Sequence, residues 1–174
     1  IGGIGFMSVA IMVMVFAGRR ISLSQRALMQ NSISAPQIGG IVRMTKFIVG
    51  GTLLIEFVGA VLLSFAFVPM FGWGKGIYFS IFHSISAFCN AGFDLMGSTT
   101  GEFTSLTGFV GSGYINLIIM LLIVIGGLGF FVWHDVGVNK GNFRKLNLQS
   151  KMVLTISAGL IVIGALALFV LGYN

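Results

Sequence analysis

Apolar residues fall in long blocks along this chain, and each block ends at a cluster of polar or basic positions. Residues 1–17 are apolar apart from Ser8 and close at Gly18, Arg19 and Arg20; residues 47–70 are mostly apolar and close at Pro69. Residues 114–133 run from Tyr114 to Trp133 with Asn116 near their start, and residues 152–174 form the last block. Blocks of about twenty residues match the roughly 30 Å hydrocarbon core of a bilayer, so the pattern predicts an all-α membrane protein. One stretch is different. Residues 76–88 read as a helix roughly 20 Å long, which enters a bilayer but does not cross it. Behind it stand Asn90 and the small pair Ala91 and Gly92, where the chain must turn back. Irregular backbone at membrane depth is tolerated only against protein or a water-filled cavity, so the pattern predicts a re-entrant segment with residues 89–93 on a pore wall.

Composition fixes the solvent. Of the 174 residues 56% are hydrophobic and 8% charged, where a soluble domain carries about a quarter charged, and mean hydropathy is +1.04. The partner implied is the lipid bilayer. The net charge of +6 does not point to nucleic acid, because the basic residues are neither dense nor interleaved with stacking aromatics on a polar face. They gather instead at two loops, Arg19, Arg20, Arg26, Arg43 and Lys46 at one, Lys140, Arg144, Lys145 and Lys151 at the other. Short cytoplasmic loops collect Lys and Arg, so residues 18–45 and 134–151 are expected inside. They share a side if 47–70 and 114–133 each cross and the segment between them enters and leaves by one face. A full crossing at 76–88 would separate them. Asp94 and Glu102 then lie outside. The single cysteine, Cys89, allows no disulfide within the chain. Opening on Ile1-Gly2-Gly3 inside an apolar run, without an initiator methionine, the sequence reads as an internal piece of a longer protein.

The hexapeptide Ile1-Gly2-Gly3-Ile4-Gly5-Phe6 returns as Ile125-Gly126-Gly127-Leu128-Gly129-Phe130, each copy on an apolar block that runs to a basic loop. That period matches one span, hairpin and span with their connections. Between the two copies, residues 86 to 94 read Ser-Ala-Phe-Cys-Asn-Ala-Gly-Phe-Asp. This nonapeptide resembles the selectivity-filter signature of the potassium-translocating subunits of bacterial Trk and Ktr systems and their plant and fungal relatives, and the hexapeptides and block spacing extend the likeness over essentially the whole chain. The resemblance implies potassium-channel-like repeats of helix, pore helix and helix with a re-entrant pore loop. Residues 1–17 would close one repeat and 18–45 form a cytoplasmic loop. Residues 46–133 would be a complete repeat, with first helix 47–70, pore helix 76–88, filter 89–93 and second helix 114–133. Residues 134–151 would be a second cytoplasmic loop, and 152–174 would open the next repeat. It also implies potassium uptake across the cell (plasma) membrane by a multi-pass pore subunit with no cofactor. The full-length subunit would dimerise and work with a cytoplasmic nucleotide-binding ring.

On that reading the main-chain oxygens of Cys89, Asn90, Ala91, Gly92 and Phe93 replace the hydration shell of a potassium ion. Gly92, lacking a Cβ, can take φ > 0 and aim a carbonyl at the axis; the plainer reading is a turn glycine. The C-terminal end of the pore helix, with open carbonyls, favours a cation. Asp94 just outside attracts cations, or else caps or braces the filter loop. Glu56, near the middle of 47–70, is costly enough in a membrane to suggest function, by bracing the pore helix or by lining the path. His83 reads as a satisfied interior histidine rather than a metal ligand, since no second histidine or cysteine is spaced to complete a zinc site. Gly126, Gly127 and Gly129 allow helices to pack closely or line the pore below the filter, as would Gly2, Gly3 and Gly5, and His134 and Asp135 can meet the basic loop. Two other classes stay open: an intramembrane enzyme using Cys89, His83 or Asp94, and a scaffold without transport.

Overall fold

The computed structural model describes residues 41–101 and 104–172, with the side chains of 41–46, Ser98 and Thr100 outside the description. The expected helix at 1–17, the loop at 18–40, Gly2, Gly3, Gly5 and Glu102 lie outside the described residues. All regular structure among the described residues is helical. It falls into two units, one ending at Gly127 and the other beginning at Leu128.

The first unit is built on α1 (Ile41–Phe71), of which residues Phe47–Phe71 form a run long and apolar enough to cross a bilayer. The helix starts six residues before the expected 47, so the end of the expected loop 18–45 is helical. It ends without a connecting loop. Gly72, at φ 80°, is the only residue between α1 and α2 (Trp73–Phe88), and Pro69 sits in the last turn of α1. A single residue at positive φ turns the chain sharply only where no Cβ obstructs it. α2 therefore begins three residues earlier than the sequence suggests, and its 16 residues still measure only about 24 Å. A single helical turn, α3 (Gly97–Thr100), and a 3₁₀ turn (Ser105–Phe109) lead to α4 (Gly113–Gly127).

Three helices share one core, made where the apolar positions recur three and four apart. Leu63 and Phe67 of α1, Phe79 of α2 and Ile115, Ile118 and Leu122 of α4 are buried together with Met96 and Phe109. The Phe67 ring meets Phe71, His83 and Phe109 at centroid distances of 6.0, 5.7 and 5.8 Å, within the range of favourable aromatic pairs. The opposite face of α1, with Leu53, Leu54, Phe57 and Phe65, is exposed, as suits a helix facing lipid or further protein. Between membrane helices association rests on close packing rather than on release of water. Gly76 allows that: a Cβ there would lie 2.6 Å from the Val68 Cα and 2.8 Å from the Phe67 carbonyl oxygen.

The expected span 114–133 is not one helix. α4 stops at Gly127 after 15 residues, Leu128 and Gly129 break the ladder, and α5 (Phe130–Val138) follows with Gly129 at φ 84° before it. Gly126 and Gly127 at the end of α4 propagate a helix poorly, and a residue at positive φ cannot continue one.

In the second unit α5 leads through a 3₁₀ turn (Phe143–Lys145) to α6 (Leu148–Gly172), which starts four residues before the expected 152 and is also long and apolar enough to span. The connection is folded around Asp135. Its Oδ2 accepts the Asn147 backbone N–H at 2.8 Å, and its Oδ1 accepts the side-chain amides of Asn147 and Asn139 at 2.9 and 3.0 Å. The buried Ser150 hydroxyl has no partner in hydrogen-bonding geometry. It lies near enough to Asp135 to act first among the influences that hold this carboxyl below the usual aspartate range; the Asn147 and Asn139 bonds and nearby His134 act the same way, and burial opposes them. A depressed folded-state value means that the group adds stability above the ordinary value of about 3.9 and loses it as pH falls through the lowered value. Acidification from about pH 6 to about pH 3 should therefore cost wild type more thermal stability than Asp135→Asn, measured as melting temperature of the complete protein in detergent. Parallel pH profiles would show that the carboxylate does not hold this turn.

Candidate functional site

Helix α2 folds back along α1. Gly76 lies against Val68, the His83 ring against Phe67, and the Ser84 hydroxyl donates to the Glu56 carbonyl at 2.7 Å. The end of α2 thus reaches the level of Glu56, where the Cys89 thiol faces Glu56 Oε1 at 4.0 Å. Along α1 that level is about 14 Å from Phe47 and about 22 Å from Phe71, so α2 ends deep within the apolar length of α1.

There the helix closes in a Schellman motif, in which a residue in the left-handed region lets two N–H groups reach back to the last turn. Asn90 takes that place at φ 51°. Its N–H donates to the Ala87 carbonyl at 3.1 Å, and the Ala91 N–H donates to the Ser86 carbonyl at 2.9 Å. Asn is among the few side chains that tolerate this conformation. The open carbonyls expected at this helix end are thus partly closed: those of Ile85, Ser86 and Ala87 all accept main-chain bonds.

From Asn90 the chain returns along α2. Gly92 stands at φ 71° with open space where a Cβ would be. The Ser86 hydroxyl donates to the Phe93 carbonyl at 2.6 Å, and the Leu95 N–H approaches His83 Nε2 at 3.4 Å while His83 Nδ1 bonds the Phe79 carbonyl at 2.7 Å. These contacts assign the histidine proton to Nδ1. His83 is the satisfied interior histidine the sequence suggests, enclosed by Phe67, Phe79 and Phe82. Asp94 accepts the Met96 N–H at 2.9 Å and so braces the loop. Asn90, Gly92 and Phe93 are exposed, and Cys89, Ala91 and Asp94 partly so. Beside the returning chain lies a cavity of about 230 Å³, with His83, Ser86, Asn90 and Asp94 on one part of its wall and Leu106, Ile119 and Ile123 on another, roomy enough for several waters where the polar groups face it.

Helix α4 comes down on the same side. The Tyr114 hydroxyl donates to the Leu62 carbonyl at 2.9 Å, Leu122 packs at Gly59, and a Cβ on Gly126 would sit 1.9 Å from the Phe88 carbonyl oxygen. Gly127 follows, with the Asn90 amide 3.8 Å from its Cβ position. α4 therefore ends beside the point at which α2 gives way to the strand.

The profile of the family described as "TrkH: Cation transport protein" matches residues 1–173. This chain belongs to that family. Among curated relatives, the chain is 39% identical over 171 residues to the potassium/sodium uptake protein NtpJ of Enterococcus hirae, covering 98% of the chain and 36% of the relative. It is 38% identical over 174 residues to the Ktr system potassium uptake protein B of Bacillus subtilis, covering 100% and 38%, and 34% identical over 172 residues to the protein of that name from Vibrio alginolyticus, covering 98% and 36%. The chain spans a little over a third of the length of these relatives.

In the TrkH-family chain several residues that hold the strand are not apparent from sequence. Ser84 and Ser86 tie α2 to Glu56 and Phe93; as hydroxyls in an apolar helix they were visible, but their partners 28 and seven positions away were not. Glu56 braces α2 through its carbonyl, which accepts from Ser84, and its carboxylate faces the Cys89 thiol at the end of that helix. Gly129 belongs to the helix break and stands apart from the contact made by Gly126. Among the described residues no group of three His, Cys, Asp or Glu side chains is placed to hold a metal ion. Since the atom opposing Gly126 is backbone, Gly126→Ala must displace either α4 or the end of α2, and overpacking of this kind costs about 1–3 kcal/mol or more. The expected outcome is a melting temperature several degrees lower than that of Gly127→Ala. Equal stability of the two variants in the complete protein would refute the contact.

Proposed function

We propose that residues 46–133 form one of the pore units of a potassium uptake protein of the Trk/Ktr type, with residues 89–93 as its strand of the selectivity filter. The observation that carries this reading is the course of the chain at Phe88 to Asp94. A helix too short to cross stops midway along a spanning helix, turns at Asn90, and returns past Gly92 with polar backbone in an otherwise apolar setting. Backbone of that kind survives in a membrane only beside protein or water, and carbonyls so placed are the usual means of replacing the hydration shell of an alkali cation. Cys89, Asn90, Ala91, Gly92 and Phe93 act through their main-chain oxygens; the Phe93 oxygen, though it accepts from Ser86, keeps a second lone pair for the ion. Asp94, partly exposed at the mouth, adds a cation-attracting charge. Potassium is the substrate, and no cofactor takes part.

The relatives named above are uptake proteins, and the chain's own contacts favour transport over chemistry. The three side chains an intramembrane enzyme would use are directed to different partners, Cys89 to Glu56, His83 to Phe79 and Leu95, and Asp94 to Met96. A complete pore takes four such units. In the same reading the protein is a multi-pass component of the cell membrane, residues 18–45 and 134–151 face the cytoplasm, the full-length subunit dimerises, and a cytoplasmic nucleotide-binding ring regulates it from that side.

Gly92 provides the test. A side chain at φ 71° is disfavoured by about 1–2 kcal/mol, so Ala or Ser at this position turns the peptide and withdraws a carbonyl from the ring. In the complete transporter Gly92→Ala should weaken potassium uptake, and Gly92→Ser should also lower the preference for potassium over sodium. The measurement is transport of both ions at matched membrane abundance. An unchanged ratio with unchanged affinity would reduce residues 89–93 to a turn.

A further inference from the structure

We infer that the connection between α5 and α6 is a binding site for an anionic phospholipid headgroup. Four cations, Lys140, Arg144, Lys145 and Lys151, lie within residues 140–151, and the one carboxylate of this segment and its approach, Asp135, is buried and engaged by Asn139 and Asn147. The positive charge is therefore left uncompensated at the surface. It is also gathered. The Lys151 ammonium donates to the Arg144 carbonyl at 3.0 Å, which draws it to the short turn carrying Arg144 and Lys145.

Lys140 adds a conformational argument. It ends α5 in a second Schellman motif, its own N–H donating to the Gly137 carbonyl at 3.3 Å and the Gly141 N–H to the Val136 carbonyl at 2.9 Å. The left-handed position falls on Lys140 at φ 49°, where glycine is the ordinary choice. A strained residue held in place by its surroundings is a reason to look for a use, and here the side chain so positioned is an exposed cation beside the exposed Arg144 and Lys145 and the half-buried Lys151.

The apolar neighbours select lipid among anionic partners. Phe143 and Leu148 are 48% and 74% exposed, and Met152 is exposed on the next turn. Leu148 and Met152 stand on the first turns of α6, a helix of 25 residues fit to cross the bilayer, and Phe143 on the short turn before it, so the cations fall at headgroup height with exposed apolar side chains beside them. Arg144 presents a planar fork suited to a phosphodiester, and the lysines act as point charges beside it. A free phosphate or the acidic face of a soluble protein would make no use of Phe143 and Leu148. The inference rests on α6 spanning the membrane and on no property of the filter strand.

Native mass spectrometry of the complete transporter, titrated with phosphatidylglycerol and with phosphatidylcholine, tests it. Attraction of a basic residue near an anionic surface is worth about fivefold per charge, so Arg144→Gln/Lys145→Gln should lose at least about tenfold in phosphatidylglycerol affinity and leave phosphatidylcholine binding unchanged. Arg144→Lys should recover part of the loss, and Lys75→Gln on α2 should behave as wild type. Potassium uptake, measured in parallel, reports on the filter independently. Equal phosphatidylglycerol affinity in wild type and the double variant would overturn the site. So would displacement of the lipid by inorganic phosphate at equal concentration, which would make the ligand a soluble anion, or a cytosolic protein that holds this turn in lipid-free detergent.

Discussion

The contact between Gly126 of α4 and the carbonyl of Phe88 governs the arrangement of the first unit. It brings two backbones together at the level where α2 ends, and a side chain as small as a methyl group would part them. Lipid offers apolar side chains the same surroundings that protein does, so burial alone would not hold α2 against α1 and α4. What holds it is short range: glycine against backbone at Gly76 and Gly126, serine hydroxyls on carbonyls at Ser84 and Ser86, and aromatic edges around Phe67. Because the same few contacts fix the end of α2, they also fix where the strand starts and how far it is from α1.

That dependence explains why the conformation of the strand is so fully specified. Asn90 closes α2, Ser86 and His83 hold the returning chain at Phe93 and Leu95, and Asp94 turns it out toward Met96. The bonds at Asn90, Ser86 and His83 join the returning chain to α2, and that of Asp94 closes within the loop itself. Gly92 has open space at its Cβ position; its constraint comes from its own φ.

Much of this is legible in the amino-acid pattern. The apolar length of 47–70, the shortness of 76–88 and the turn at Asn90 to Gly92 follow from residue types, because solvent sets helix length and backbone sterics set the turn. The family is legible too, in the nonapeptide at 86–94 and the repeated glycine hexapeptide. Less is legible where a local rule meets an unseen partner. The start of α1 at Ile41 is hidden because Arg43 and Lys46 look like loop residues, although both fall within the helix. The break at Leu128 and Gly129 was hidden because the hydrophobic block continues through it, and hydropathy does not register φ. Gly126, Gly127 and Gly129 look alike in sequence. One is a contact with backbone, one lies near the Asn90 amide, and one is a hinge-like break with nothing near its Cβ position. Asp135 meets the basic loop as the sequence suggests, but through the backbone N–H and side-chain amide of Asn147, a pairing that the cations around it conceal.

The central claim is that main-chain oxygens of residues 89–93 meet a dehydrated monovalent cation partway through the membrane. Anomalous diffraction from crystals of the complete transporter soaked in thallous ion, a heavy substitute for potassium, addresses it directly. The account predicts a thallium peak within about 3 Å of carbonyl oxygens from this strand, at the level of Gly92. A peak at the Glu56 or Asp94 carboxylate with none along the strand would contradict it.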